Sequence, residues 1–169
     1  KLNGAKIIIM NTNKRRELKD SKYNERRDEC DRALVEINKV LEAKNEKRNV
    51  KYLCDLGEDD LWIIDEIDNP ILQKRAGFAI KENIRVSKAV EALKNNDLEK
   101  LGKILRAGNL GAKEEYEVTG KELDAITEAA NAFEGCYGAR MTGAGFSGCA
   151  IAVVEDDKIE EFTKYVGKI

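Results

Sequence analysis

The sequence predicts an α+β fold in which a small antiparallel sheet is covered on one face by long helices. Two apolar runs have the composition of strands: AKIIIMNT at residues 5–12 and AIAVV at residues 150–154. Between them, apolar residues recur at steps of three and four, which is the spacing of amphipathic helices. The resulting order of strand, several helices, loop, strand and helix is typical of α+β proteins.

Helix starts are marked by short polar residues and by the only proline. Asp20 or Ser21 can cap a long amphipathic helix, because either side chain can accept hydrogen bonds from the first helical amides. A short helix then presents Trp62 to the core. Pro70 opens another long helix, which reaches about residue 94, since the first turn does not use the missing N–H group.

Later boundaries are predicted in the same way. Asp97 caps a helix, and the glycines Gly108 and Gly111 predict the turn that follows it. Thr119 and Glu122 match the spacing of a capping box, so the next helix is expected to begin at Thr119. A last helix follows the second strand.

Length and charge restrict the class of protein. A chain of 169 residues is enough for one domain with a real core, and too short for a two-domain enzyme. The net charge is −2 with interleaved signs, which gives no reason to expect a nucleic-acid partner. No apolar run approaches the length of a membrane helix and no signal peptide is evident, so we expect no membrane and a cytoplasmic location.

Residues that usually bind zinc are scarce. The chain has no histidine, and its cysteines form no C-x-x-C pair. We therefore interpret the cysteines as buried reduced thiols; they are Cys30, Cys54, Cys136 and Cys149.

A glycine-rich segment precedes the second strand. Residues 143–148, GAGFSG, satisfy G-x-G-x-x-G, but a dinucleotide fingerprint needs a helix after the loop and a strand is predicted here. One interpretation is a tight turn in which glycine permits a positive φ angle. The other is a nest of backbone N–H groups that approaches an anion. The spacing leaves both open.

Four segments resemble the galactokinase family. They are DSKYNERR at 20–27, KENIR at 81–85, YEVTGKELD at 116–124 and GARMTGAGFSGC at 138–149. The last is similar to the glycine-rich motif of the whole superfamily of galactokinase, homoserine kinase, mevalonate kinase and phosphomevalonate kinase. The similarity runs from about residue 4 to residue 166.

The resemblance implies roles for particular residues. Tyr23 matches the tyrosine that contacts galactose in the family, and Arg15 matches an arginine on the nucleotide side. Arg26 and Arg27 are better explained by ion pairs with neighbouring carboxylates than by phosphate binding. The loop that supports the phosphate site comprises Thr142, Gly143, Ala144, Gly145, Phe146, Ser147 and Gly148.

The resemblance also implies that residues 1–169 are the carboxy-terminal domain of such a sugar kinase. The family's galactose-recognition segment and its P-x-G-x-G-L-S-S-S-A phosphate loop do not occur in the sequence. We therefore expect a fragment without the amino-terminal domain, with no catalytic residue and no metal ligand of its own, that is inactive alone. The intact enzyme would use ATP and Mg²⁺ to phosphorylate the C1 hydroxyl of galactose.

Three positions depart from the family pattern and keep alternatives open. Phe78 and Asn109 stand where many members have histidine, and Ser147 stands where glycine is usual. One alternative is a regulatory or sensor paralogue that binds galactose without kinase activity. Another is a related kinase for N-acetylgalactosamine or arabinose.

Overall fold

The computed structural model describes residues 2–14 and 20–169, with the side chains of residues 20 and 21 left aside. The chain divides into two compact units. The helical unit comprises residues 20–86, and the sheet unit combines residues 2–14 with residues 87–169. The division falls within one long helix, between Val86 and Ser87.

The helical unit contains two long helices and several short turns. Helix α1 spans Asp20–Ala43, helix α2 spans Trp62–Asp65, and helix α3 spans Pro70–Lys94 and continues into the sheet unit. Its apolar core is built from side chains of all three helices and of the two segments that connect them. The buried members are Ala33, Ile37, Leu41, Val50, Leu56, Ile63, Ile64, Ile67, Leu72, Ala76 and Ile80.

The start of α3 follows the sequence prediction, whereas the core position of Trp62 is wrong. Pro70 is the first residue of α3, and the Asn69 carboxamide oxygen accepts the amide N–H of Ile71 at 3.0 Å. Trp62 is 38% exposed, while the next two residues of α2, Ile63 and Ile64, are buried. A four-residue helix turns only part of its circumference inward, and the two isoleucines fill that part.

A buried ionic cluster joins α1 to α3. The Glu29 carboxylate accepts hydrogen bonds from Arg26 at 2.8 Å and from Arg75 at 2.7 Å. All three side chains are nearly enclosed, with residue exposures of 7%, 8% and 3% for Glu29, Arg26 and Arg75. The ion pair predicted for Arg26 is therefore present. It is buried, whereas the sequence suggested a pair at the surface.

The sheet has three antiparallel strands in the order β1-β3-β2. Strand β1 spans Ala5–Asn11, strand β2 spans Cys136–Met141, and strand β3 spans Cys149–Glu155. The two strands predicted from sequence are therefore neighbours, with Ile7 opposite Val153. Strand β2 is not predicted from sequence, because its CYGARM segment has no β-branched residue.

Helices lie against both faces of this sheet. Val153, on one face, packs in a cluster with Ala92 of α3 and with Leu98 of helix α4, Leu98–Glu114. Met10, on the other face, lines a groove with residues of helix α5, Lys121–Ala132, and of helix α6, Ile159–Val166. The α+β class with a small antiparallel sheet is confirmed. Helices cover both faces of the sheet, whereas coverage of one face was expected.

Helix α4 is longer than predicted. Asp97 caps it as expected, its carboxylate accepting the Lys100 amide at 2.9 Å. Gly108 and Gly111 do not form a turn, because both lie buried inside the helix. Earlier in the helix, Gly102 packs so closely on strand β2 that a Cβ there would overlap the carbonyl oxygen of Tyr137. Gly102 thus serves close packing on β2, while Gly108 and Gly111 continue the helix where local sequence rules predict its end.

The predicted capping box before α5 is absent. The residue before the helix is Gly120, with a φ angle of 91°, and no side chain caps the first turn. Thr119 is buried at 4% exposure, and the Glu122 carboxylate pairs with Lys14 of the sheet unit at 2.6 Å. The long-range ion pair therefore takes the carboxylate that the local pattern assigned to the helix start.

The cysteines are all free, and they differ in burial. Cys136 is buried, Cys30 and Cys149 are intermediate, and Cys54 is exposed. The expectation of buried thiols is thus wrong for Cys54. Burial raises the pKa of the Cys136 thiol, although the nearby Arg106 charge acts in the opposite direction.

Candidate phosphate-site loop and the sugar-side tyrosine

The glycine-rich segment forms the connection between β2 and β3. Its neck is closed by a hydrogen bond from the Thr142 amide to the Cys149 carbonyl at 2.9 Å. Four residues have positive φ angles: Gly143 at 79°, Gly145 at 80°, Phe146 at 61° and Gly148 at 100°. A strand follows, as predicted, so the segment lacks the helix that a dinucleotide-binding turn requires.

Two contacts on opposite sides hold the loop in the sheet unit. The Phe146 amide donates to the Val118 carbonyl at 2.7 Å, and a Cβ at Gly145 would overlap that same carbonyl oxygen. On the other side, the Thr12 amide and hydroxyl both donate to the Gly148 carbonyl at 2.9 Å. Gly145 therefore serves close packing as well as backbone geometry.

The tip of the loop is open to solvent. Thr142 and Gly143 are exposed, and a Cβ at Gly143 would meet nothing within 4 Å. Within the described chain, the amide N–H groups of Gly143 and Ala144 have no hydrogen-bond acceptor. Adjacent unpaired amides in a positive-φ turn form the kind of concave surface that binds anions. The tip can thus receive a phosphate oxygen.

Ser147 contributes an unusual polar group to the same loop. Its residue exposure is 6%, and its hydroxyl oxygen has no hydrogen-bond partner among the described residues. A buried hydroxyl without a partner is a rare and costly arrangement. Its side chain is directed away from solvent, so the exposed amides of the tip are the better anion ligands.

Tyr23, the predicted galactose contact, lies in the first turn of α1 in the helical unit. It is 55% exposed. This exposure argues against an ordinary core role for the ring and leaves its hydroxyl accessible to a ligand. Arg15, the predicted nucleotide-side residue, lies outside the described residues.

An ion pair in the sheet unit joins the Lys14 ammonium to the Glu122 carboxylate at 2.6 Å. The hydrogen bond from the Lys14 ammonium is the largest influence on the Glu122 carboxyl and holds the pKa of Glu122 below its ordinary value. Lys14 is thereby tied to α5.

The described residues do not provide a metal centre. Over residues 2–14 and 20–169, no three side chains of the His, Cys, Asp or Glu types are grouped so as to hold a metal ion. Helices long and apolar enough to cross a membrane are likewise absent from this part of the chain.

Comparison with known proteins places these features in a family. Residues 89–168 match the family model described as "GHMP kinases C terminal". The galactokinase of Clostridium perfringens (strain SM101 / Type A) is 48% identical over 163 residues, which is 96% of this chain and 40% of the relative. The galactokinase of Ligilactobacillus salivarius (strain UCC118) is 48% identical over 167 residues, 96% of this chain and 41% of that protein.

Solved structures give the same result. The crystal structure of Lactococcus lactis galactokinase complexed with galactose superposes with a TM-score of 0.86 and 41% identity, covering 99% of this chain and 42% of that one. The structure of L. major mevalonate kinase in complex with R-mevalonate gives a TM-score of 0.55 at 17% identity, over 96% of this chain and 37% of that one, and shows a shared fold.

Residues 89–168 thus correspond to the carboxy-terminal domain of the GHMP kinases. Over nearly its whole length, the chain is similar to the carboxy-terminal part of galactokinases. It spans about 40% of the length of the curated relatives that it matches.

Proposed function

We propose that the intact protein is a galactokinase, an ATP-dependent transferase of carbohydrate metabolism that phosphorylates the C1 hydroxyl of galactose in the cytoplasm. The observation that carries the proposal is the 41% identity and TM-score of 0.86 to a galactokinase that was solved with galactose, over 99% of this chain. A correspondence that covers both the helical unit and the sheet unit supports a common function as well as a common fold.

In this proposal, residues 1–169 form the carboxy-terminal domain, which provides one wall of the active site. Tyr23 contacts the galactose, and its exposed position in α1 is suited to that role. The loop at Thr142–Gly148 supports the ATP phosphates through its exposed amides. Arg15 is assigned to the nucleotide side by resemblance alone. Phosphoryl transfer depends mainly on positioning and charge stabilisation, so such a wall contributes without performing proton transfer.

The remaining parts are assigned to the amino-terminal domain of the same protein. That domain would supply the base, the main ATP-binding loop and the Mg²⁺ site of the intact enzyme. Over residues 2–14 and 20–169, no three side chains of the His, Cys, Asp or Glu types are grouped to hold a metal ion, which is consistent with this assignment.

The test is a kinase assay on the full-length gene product, cleared of host kinases. We expect ADP release that depends on galactose, together with formation of galactose 1-phosphate. Galactose binding without ADP release would instead support the regulatory paralogue. Parallel assays with N-acetylgalactosamine and arabinose identify the preferred sugar, and the highest kcat/KM is expected for galactose.

A further inference from the structure

The outer edge of strand β2 is closed by side chains from the neighbouring helices. Antiparallel strands leave alternate N–H and C=O groups unpaired along an edge, and proteins cover such edges. Asn131 of α5 binds both backbone groups of Ala139, accepting from its N–H at 2.8 Å and donating to its carbonyl at 3.2 Å. Asn109 of α4 binds one backbone group of Met141, whose N–H donates to the Asn109 carboxamide oxygen at 2.8 Å.

The Asn109 contact occurs where the strand ends. Met141 is the last residue of β2, and the glycine loop begins with the next residue, Thr142. The Met141 amide is therefore the last edge group before the loop leaves the sheet. Its acceptor lies on α4, 32 residues away in sequence.

Asn109 is itself held in one orientation. Its NH₂ group donates to the Thr127 hydroxyl at 3.1 Å, and that hydroxyl donates to the Leu123 carbonyl at 2.7 Å. Because a backbone N–H can only donate, the carboxamide oxygen must face Met141 and the NH₂ group must face Thr127. The residue exposures of Asn109, Thr127 and Met141 are 8%, 1% and 3%, so solvent cannot replace these bonds easily.

We propose that Asn109 is a positioning residue for the glycine loop, and that through the Met141 amide it fixes where the exposed loop amides meet the phosphates of ATP. The proposal rests on the proposed kinase function. Small displacements matter in such sites, since an error of about 1 Å in the position of a supporting group can cost about a hundredfold in rate. Asn131 supports the same strand two residues earlier and has no direct contact with the loop.

This difference provides a matched pair of variants in the full-length protein. Asn109→Leu and Asn131→Leu both remove an asparagine that covers the β2 edge, and only the first releases Met141. For Asn109→Leu we expect kcat/KM for ATP to fall by about tenfold to a hundredfold, with the KM for galactose within about twofold of wild type. For Asn131→Leu we expect lower stability, with both kinetic constants of the folded enzyme within about twofold of wild type.

A second readout does not depend on activity. Hydrogen exchange of the amides of Thr142, Phe146 and Gly148, which are hydrogen-bonded in the loop, should become faster in Asn109→Leu and stay unchanged in Asn131→Leu. Where Asn109→Leu yields no folded protein, Asn109→Ser is too short to reach Met141 and should show the same loss.

The outcomes separate this proposal from the kinase function. Unchanged loop exchange in Asn109→Leu or Asn109→Ser overturns the positioning role, whatever the enzyme assay shows. Equal effects of the Asn109 and Asn131 variants on loop exchange and on ATP kinetics also overturn it, since they indicate general damage to β2. A wild-type protein without galactose-dependent ADP release overturns the proposed function. Faster loop exchange in the Asn109 variants alone would, even then, show that Asn109 holds the loop in place.

Discussion

At the scale of single residues, Tyr23 and Arg26 of the DSKYNERR segment differ in burial. Tyr23 is 55% exposed, whereas Arg26 one turn later is 8% exposed and paired with Glu29. The family motif therefore combines an exposed residue suited to ligand contact with a buried residue that holds the helix. The sequence predicts an ion pair for Arg26, and the structure shows that this pair is buried.

The hydroxyl of Tyr23 is expected to bind galactose in the intact enzyme. Tyr23→Phe removes that hydroxyl and should leave packing unchanged, because the side chain is exposed. The loss is expected to cost about 1–3 kcal/mol, or roughly five- to more than a hundredfold in kcat/KM for galactose. Steady-state kinetics against both substrates measure it. A defect confined to ATP would place Tyr23 on the nucleotide side, and unchanged kinetics would remove it from the site.

The Glu29 carboxylate is expected to be important for stability. Glu29→Gln removes the negative charge between Arg26 and Arg75, and breaking a buried ion pair in this way typically costs about 3–5 kcal/mol. Glu36→Gln is the control on the same helix, because its pair with Lys39 is exposed and should be worth less than about 1 kcal/mol. Urea unfolding of the full-length variants compares the two. Equal midpoints would show that the buried cluster adds no stability.

At the scale of elements, the stability of the turn before α2 is expected to depend on pH through Asp60. Burial opposes ionisation of Asp60, but hydrogen bonds from the Gly57 amide at 2.9 Å and from Arg48 at 2.7 Å outweigh it and lower the pKa of Asp60. A carboxyl with a lowered folded-state pKa stabilises the fold above its ordinary pKa of 3.8 and loses that effect as the pH falls through the folded-state value.

The matching experiment is Asp60→Asn. Its destabilisation relative to wild type should be largest near neutral pH and should shrink as the pH falls below about 4, where the wild-type carboxyl also becomes neutral. Unfolding curves at several pH values measure this difference. A gap between the two proteins that stays constant down to pH 2 would contradict the assigned cause.

The glycine loop calls for a variant that separates its function from its packing. Gly145→Val is a poor probe, because even a Cβ at Gly145 would overlap the Val118 carbonyl. Gly143 has a φ angle of 79° and open space around it, so Gly143→Ala adds only the backbone cost of about 1–2 kcal/mol.

In the full-length enzyme, Gly143→Ala is expected to lower kcat/KM for ATP by about tenfold or more, since the backbone strain falls on the amides that are proposed to contact the phosphates. Thermal unfolding measures the loss of stability, and kinetics on the same preparation measure kcat/KM for ATP. If the variant retains wild-type ATP kinetics, the loop is only a turn.

Several elements could be predicted from sequence because their signals are local. The β-branched run of β1, the apolar run of β3, Pro70 at the start of α3 and Asp97 at the start of α4 all occur in the structure as predicted. Strand β2 and the length of α4 could not be predicted. Their glycines serve contacts between distant segments, and a short sequence window contains no information about the partner.

At the scale of the whole molecule, the chain spans about 40% of the length of the galactokinases that it matches. The roles of the glycine loop and Tyr23 were predicted from family motifs, whereas Asn109 and Asn131 were missed as structural residues because their backbone partners lie 32 and 8 residues away. No metal-binding group is present among the described residues.

We therefore expect residues 1–169 alone to release no ADP in a galactose-dependent manner. The physical reason is that phosphoryl transfer requires a metal ion and a positioned nucleophile, which the proposed function assigns to the amino-terminal domain. The measurement is a coupled ADP assay on the purified chain, with the full-length protein as positive control. Turnover by the chain alone would show that the catalytic groups lie within it.

The contact of Gly102 in α4 with Gly138 in β2 also limits how the sequence can vary. A Cβ on Gly138 would overlap the backbone of Gly102, and a Cβ on Gly102 would overlap the backbone beside Gly138. Both positions already hold the smallest residue, so a change at one cannot be compensated by a smaller residue at the other. Neither a single substitution nor a paired substitution at Gly102 and Gly138 is therefore compatible with this contact between the two backbones.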